Sequence, residues 1–144
     1  MISTLKVGDY RGPLIGSGQA EIMLVGVSRS GKTPLSLYLA VLGWKVANIP
    51  LVPQIPVPEA LFELNPETVV GLDINPEQLL VFRRQRQMRL GVSGDSPYTD
   101  LDTIREEIRL ARKVFLRGGF AVIDMTDKTI EQSADEIIRK LSKH

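Results

Sequence analysis

Gly26-Val27-Ser28-Arg29-Ser30-Gly31-Lys32-Thr33 follows the apolar run Ile22-Met23-Leu24-Val25 and precedes Pro34-Leu35-Ser36-Leu37-Tyr38-Leu39-Ala40. Gly26, Gly31, Lys32 and Thr33 satisfy G-x-x-x-x-G-K-[ST] between an expected strand and an expected helix, the context a phosphate-binding P-loop requires. Each residue type has a physical reason. The glycines permit backbone conformations and close approaches that a side chain would forbid, so successive N–H groups can turn around phosphate oxygens. Lys32 brings a positive charge to the outer phosphates, the Thr33 hydroxyl can ligate a magnesium ion bridging them, and the helix N-terminus adds its dipole. Pro34 costs little, because its missing N–H falls in the first helical turn. The stretch predicts a nucleotide held through Gly26, Ser28, Arg29, Ser30, Gly31, Lys32 and Thr33.

The same alternation continues outward. Glu21 to Val27, Val46 to Leu51, Thr68 to Asp73 and Phe120 to Asp124 read as strands buried on both faces. Between them lie helical patterns: from Lys32 to about Leu42 with Gly43 as stop, from Pro76 to about Leu90 with Asn75 as N-cap, and a third carrying Leu101, Ile104, Ile108, Ala111 and Phe115 at spacings of three and four. Gly118 and Gly119 close the third. A fourth buries Ile130, Ala134, Ile137 and Leu141 behind a capping box made by Thr129 and Gln132. Strands separated by crossover helices predict a three-layer α/β fold of the P-loop NTPase type, a mostly parallel sheet with helices on both faces and the ligand outside the carboxyl ends of the strands.

The 144 residues suffice for one domain. Residues 1–19, with four glycines and no sustained periodicity, read as a flexible lead-in, and residues 20–144 as the nucleotide-binding domain. No apolar run reaches the roughly 20 residues of a bilayer crossing, and neither a signal-peptide core nor a cysteine is present, so the chain reads as cytoplasmic and not membrane-bound. Net charge of +1 selects no partner, but nine of the 18 basic residues fall between Arg83 and Arg117. In that region the basic run from Arg83 to Arg89 follows Leu79-Leu80-Val81-Phe82, with Arg83, Arg86 and Arg89 three apart on one side of the second expected helix; guanidinium groups there could close over a nucleotide or clamp a transferring phosphate. Interleaved aromatics are missing and Phe82 is assigned to the core, so a nucleic-acid surface is not expected. The single histidine, His144, reads as tail.

Phosphoryl transfer also needs a carboxylate to order the metal's water or take the acceptor's proton. Two strands end in aspartate. Asp73 is the first candidate, for catalysis and for the metal, because the carboxylate usually comes from the strand beside the loop; Asp124 is the second, and Lys32 completes the catalytic set.

Four segments together carry a family resemblance: Gly26 to Pro34, Val46 to Pro53, Gly71-Leu72 with Ile74-Asn75-Pro76, and Ala121 to Thr126 with Ile130-Glu131. They resemble the regulatory proteins of pyruvate phosphate dikinase and phosphoenolpyruvate synthase, over the C-terminal half of that family. The resemblance implies a bifunctional enzyme: an ADP-dependent kinase that phosphorylates a threonine near the target's catalytic histidine, and a phosphorylase that uses inorganic phosphate to remove the group, releasing pyrophosphate. Arg29 in the family's "SR" pair and Arg83, Arg84 and Arg86 in its "RR-x-R" pattern become phosphate contacts. Where Asp73 stands, the family more often has threonine. The residues by themselves also suit a small-molecule kinase of the shikimate or nucleoside type, using ADP or ATP with magnesium, or a nucleotide-binding module that transfers nothing.

Overall fold

The computed structural model describes residues 2–4, 20–52, 54–91 and 96–141. Nine main elements follow one another: β1 (Ile2–Thr4), β2 (Ile22–Val27), α1 (Lys32–Val41), β3 (Val46–Leu51), β4 (Val69–Asp73), α2 (Pro76–Arg89), α3 (Leu101–Gly118), β5 (Ala121–Asp124) and α4 (Ile130–Leu141). The strands pair in the order β1-β3-β2-β4-β5, every pairing parallel. β1 extends the sheet beside β3 through Ile2–Thr4. The rest of the expected lead-in, residues 5–19, and the tail residue His144 lie outside the described residues.

β2 is central, and all six of its residues are buried, because sheet neighbours flank it on both sides and helices cover both of its faces. From β2 the chain steps through α1 to β3 in one direction. From β4 it steps through α2 and α3 to β5 in the other. Right-handed crossovers running in opposite directions put their helices on opposite faces. Accordingly α1 packs with α4, and α2 with α3. The direction of winding reverses between β2 and β4, so the crevice that such a reversal opens lies where the glycine loop leaves β2.

Local chemistry sets the element ends. The Asn75 side chain accepts from the N–H groups of Glu77 and Gln78, with Pro76 in the first turn. The Asp100 carboxylate accepts from Thr103 N–H to start α3, and Gly119, at φ 67°, ends it in the left-handed conformation. Thr129 and Gln132 form the expected reciprocal box, Gln132 Oε1 taking the Thr129 N–H at 2.9 Å and Thr129 Oγ1 the Gln132 N–H at 3.1 Å.

Two expectations are corrected. β5 is the edge strand of the described sheet and exposes Val122 and Asp124, because α3, which packs over β4 and β2, leaves that face of β5 uncovered, while Ile123 on the α4 face is buried. Phe82 is not in the core: it stays 39% exposed on the face of α2 that looks into the crevice.

Candidate functional site

The loop between β2 and α1 is closed by its own backbone. The Val27 carbonyl accepts from Ser30 N–H at 3.3 Å, from Ser30 Oγ at 2.7 Å and from Lys32 Nζ at 2.6 Å. Gly26 makes that turn fit: a Cβ there would stand 2.8 Å from Ser30 Oγ and 3.3 Å from both the Cβ and the carbonyl oxygen of Leu72. Arg29 (φ 68°) and Gly31 (φ 105°) bracket Ser30 in positive-φ conformations, which glycine tolerates and arginine keeps only where its surroundings enforce it.

α1 starts at Lys32 with Gly31 as N-cap. No side chain caps it and no acid lies in its first turn, so its N-terminal N–H groups and dipole remain available to an external anion. Thr33 is exposed there. Lys32 is 9% exposed. Burial first, then the charges of Arg83 and Arg29, lower its pKa from 10.5 to about 8.

This loop forms one end of a cleft of about 780 Å³. Ser28, Arg29, Ser30, Gly31, Lys32, Thr33 and Pro34 line it, with Asn48 and Pro50 from β3 and Ile74 just beyond β4. One wall is a stripe of α2, Gln78, Phe82, Gln85 and Arg89, whose spacings of four, three and four residues place them on one helix face. The other is the β5–α4 turn from Met125 and Asp127 to Ile130. Gln78 and Asp127 tie these walls together: Gln78 Nε2 donates to Asp127 Oδ1 at 2.7 Å, and Asp127 N–H to Gln78 Oε1 at 3.1 Å. The Asn75 N–H also reaches Thr126 Oγ1 at 2.8 Å.

The expected site residues fall into three groups. Those from Ser28 to Thr33 come together on the cleft, with Gly26 directly beneath. Arg83, Arg84 and Arg86 do not line it: Arg84 is exposed, Arg86 half-buried and Arg83 fully buried behind the loop. The basic residue of α2 that does reach the cleft is Arg89.

Asp73 and Asp124 form the third group. They are register partners at the ends of β4 and β5, so their side chains emerge on the same face. That face is the one Gly71 presents to Phe115 of α3. There Arg112 Nε donates to both Asp73 oxygens, at 3.0 and 3.1 Å. For Asp124, burial works to raise the pKa, but the hydroxyl and backbone N–H of Thr126 and the charges of Lys128 and Arg112 outweigh it, and the carboxyl is held below its usual value. Neither aspartate lines the cleft.

Gln78, Gln85, Asp127 and Lys128 carry no expectation from the sequence, whereas Arg89 is expected at the phosphate with Arg83 and Arg86, and Phe82 in the core. The 4-3-4 spacing on α2 was the available signal. It was hidden because Leu79-Leu80-Val81-Phe82 are four consecutive apolar residues, which cover more than a full helical turn and select no face.

Comparison with known proteins bears on this geometry. The model of a family described as kinase/pyrophosphorylase matches residues 11–138. A protein of Chloroflexus aurantiacus, named as a pyruvate, phosphate dikinase regulatory protein, is 54% identical over 125 residues, 87% of this chain and 45% of the relative. Proteins carrying the same name from Desulfotalea psychrophila and Halalkalibacterium halodurans are 47% and 44% identical over 125 and 139 residues, 87% and 96% of this chain and 44% and 51% of theirs. The chain spans about half the length of the curated relatives it matches.

Proposed function

Because the chain belongs to the kinase/pyrophosphorylase family, we propose that it is the nucleotide-binding part of a phosphotransferase that uses ADP or ATP with magnesium and acts on a serine or threonine of a partner enzyme, pyruvate phosphate dikinase or phosphoenolpyruvate synthase. The observation that carries the reading is the glycine loop at the point where the sheet's winding reverses, opening on an uncapped helix N-terminus. Arg29, Lys32 and Arg89 border the cleft and have no carboxylate partner among the described residues. The relatives' names supply pyruvate, phosphate dikinase as a target, and the resemblance adds phosphoenolpyruvate synthase.

In this reading the loop N–H groups and the start of α1 bind the phosphates. Lys32 exchanges its bond to the Val27 carbonyl for one to a phosphate oxygen, and Arg29 adds a second cation at the rim. Nucleotide-bound magnesium asks for only one or two protein oxygens, since phosphates and water supply the rest. The exposed Thr33 hydroxyl at the first turn of α1 fits that role. The ion supplies charge neutralisation across the phosphates. We assign the accompanying carboxylate to Asp73, on the strand next to the loop, with Asp124 beside it. For that work Asp73 would release Arg112 Nε and turn a carboxylate oxygen toward the acceptor hydroxyl, and it would help hold the magnesium ion when that is bound. The setting is the cytoplasm.

Titration calorimetry with ADP and ATP, with and without magnesium, tests the binding half, and absence of binding for both nucleotides refutes it. Incubating each target enzyme with the chain and ADP labelled on its β-phosphate tests the acceptor. Label on a target threonine is expected; label appearing only on small hydroxyl compounds would make this a metabolite kinase.

A further inference from the structure

Arg83 reaches from α2 to the loop, 55 residues back in sequence, and is 1% exposed. Its Nε and Nη2 both donate to the Ser28 carbonyl at 3.3 Å. Nη1 donates to the Tyr98 carbonyl at 3.2 Å and to Glu107 Oε1 at 3.3 Å, and Nη2 to Glu107 Oε2 at 2.7 Å. A guanidinium has five N–H donors, and these contacts occupy all of them. The Tyr98 ring covers the group at 4.6 Å. No donor is left over for a phosphate.

We infer that Arg83 is a positioning residue for the glycine loop: by holding the Ser28 carbonyl it fixes the peptide leading into Arg29, and so prepares the loop for an anion without touching one. The inference rests on the nucleotide reading only for its second test.

In a trans peptide the carbonyl and the next N–H point in opposite directions. Drawing the Ser28 carbonyl toward Arg83 therefore turns the Arg29 N–H away from α2 and α3. Arg29 then sits at φ 68°, a conformation that needs outside enforcement, and the two bonds to Ser28 O supply it. Glu107, 9% exposed in the ion pair, aims the fork by taking one N–H from each terminal nitrogen. Apolar residues could fill such a volume with equal stability, so filling space does not by itself account for an ion pair here. The charge of Arg83 also reaches Lys32, where it is the larger of the two charge effects on that ammonium.

Hydrogen exchange and ADP titration of R83K and of the charge-free pair R83M/E107L test the assignment. A lysine keeps the charge but cannot span Ser28 and Glu107 together. In both variants, amide exchange over Val27–Thr33 is expected to rise at least tenfold, with that of α4 unchanged, and the ADP dissociation constant to rise at least tenfold. Loop exchange within twofold of the parent would overturn the proposal, and so would a rise spread equally over α2, α3 and α4, the mark of a merely structural residue. If the parent does not bind ADP, the nucleotide reading fails while the exchange data still decide the role of Arg83. If neither variant folds, E107Q decides: it loosens the same guanidinium without removing it, and unchanged loop exchange there would overturn the proposal.

Discussion

On the α3 side of the sheet Arg83 meets Glu107 and Arg112 meets Asp73, whereas in the cleft Arg29, Lys32 and Arg89 have no carboxylate partner among the described residues. The two regions are neighbours, both built at the carboxyl ends of β2 and β4. On the first, charge is neutralised inside the protein and serves to hold backbone and strand ends in place. On the second, among the described residues, Arg29, Lys32 and Arg89 are left without a carboxylate and Lys128 pairs with Glu136 at 2.9 Å, while Asp127, the cleft-lining acid, accepts from the amide of Gln78. Residue type alone does not separate these roles: arginines of the same helix, Arg83 and Arg89, fall on opposite sides of the division. A cation is free for an anionic ligand only where its position leaves it without an internal carboxylate.

The largest difference between the two regions should show when the buried cleft cation is removed. K32A should weaken ADP binding by about 2–5 kcal/mol, the usual cost of truncating a charge in a shielded ligand site, and leave the melting temperature equal or higher. Calorimetry alongside thermal unfolding reads both. Equal affinity would mean that the cleft cations are no more committed to a ligand than those facing α3.

Next is Asp73, the residue that would join the two regions if it works in catalysis. D73N should lower turnover by on the order of 10²-fold, the low end for a lost general base, with nucleotide affinity within threefold; D124N is the paired control. Loss confined to D124N would move the role to β5, and loss in neither would leave Asp73 as a structural partner of Arg112.

Proton linkage at Lys32 gives a smaller effect. Its pKa is lowered to about 8, and a bound phosphate raises it again. ADP affinity should therefore be flat from pH 7 to 8 and fall by up to about tenfold per unit above pH 8, a slope absent in K32A. Stability has the opposite sign. The folded pKa lies below the unfolded value of 10.5, so the unfolded chain binds more protons between about 8 and 10.5. The penalty, at most about 3 kcal/mol by the pKa difference, is present in full below pH 8 and relieved as the pH rises through that window. Urea midpoints of parent and K32M across pH 7–10 check it.

The smallest expected change is N75A. Removing the cap of α2 should cost about 1 kcal/mol in urea unfolding. ADP affinity should stay within twofold of the parent, because the N–H that donates to Thr126 Oγ1 belongs to the backbone and is kept in the variant.

Much of this molecule was legible in its residues, and the part that was not has one physical cause. Strand and helix positions, the caps at Asn75 and at Thr129 with Gln132, the stop at Gly119 and the glycine loop depend on neighbours a few residues away, which sequence spacing reports directly. The facing of Phe82, Arg83 and Asp73 depends on which helix covers which side of the sheet. The apolar run from Leu79 to Phe82 gave α2 no phase, so Phe82 was assigned inward and Arg83 toward phosphate. For β4, strand alternation ties Asp73 to the same side as Gly71, but that this side faces α3 follows only once Phe115 is seen packed over Gly71. The resemblance drawn from four short segments found the family, and the matching of residues 11–138 agrees with it.

The Val27 carbonyl, with three hydrogen bonds drawn onto one oxygen, has a consequence for how the site waits. An empty loop that leaves its cation dangling in water would be a magnet for any passing polyanion. Here the ammonium is stowed against the main chain, and a visitor gains nothing from it until enough phosphate contacts form together to draw it off that oxygen. A lone phosphate offers few such contacts, a nucleotide's phosphate chain several. If the loop binds phosphates as proposed, the stowed lysine would act as a threshold that favours ligands long enough to grip the whole turn at once.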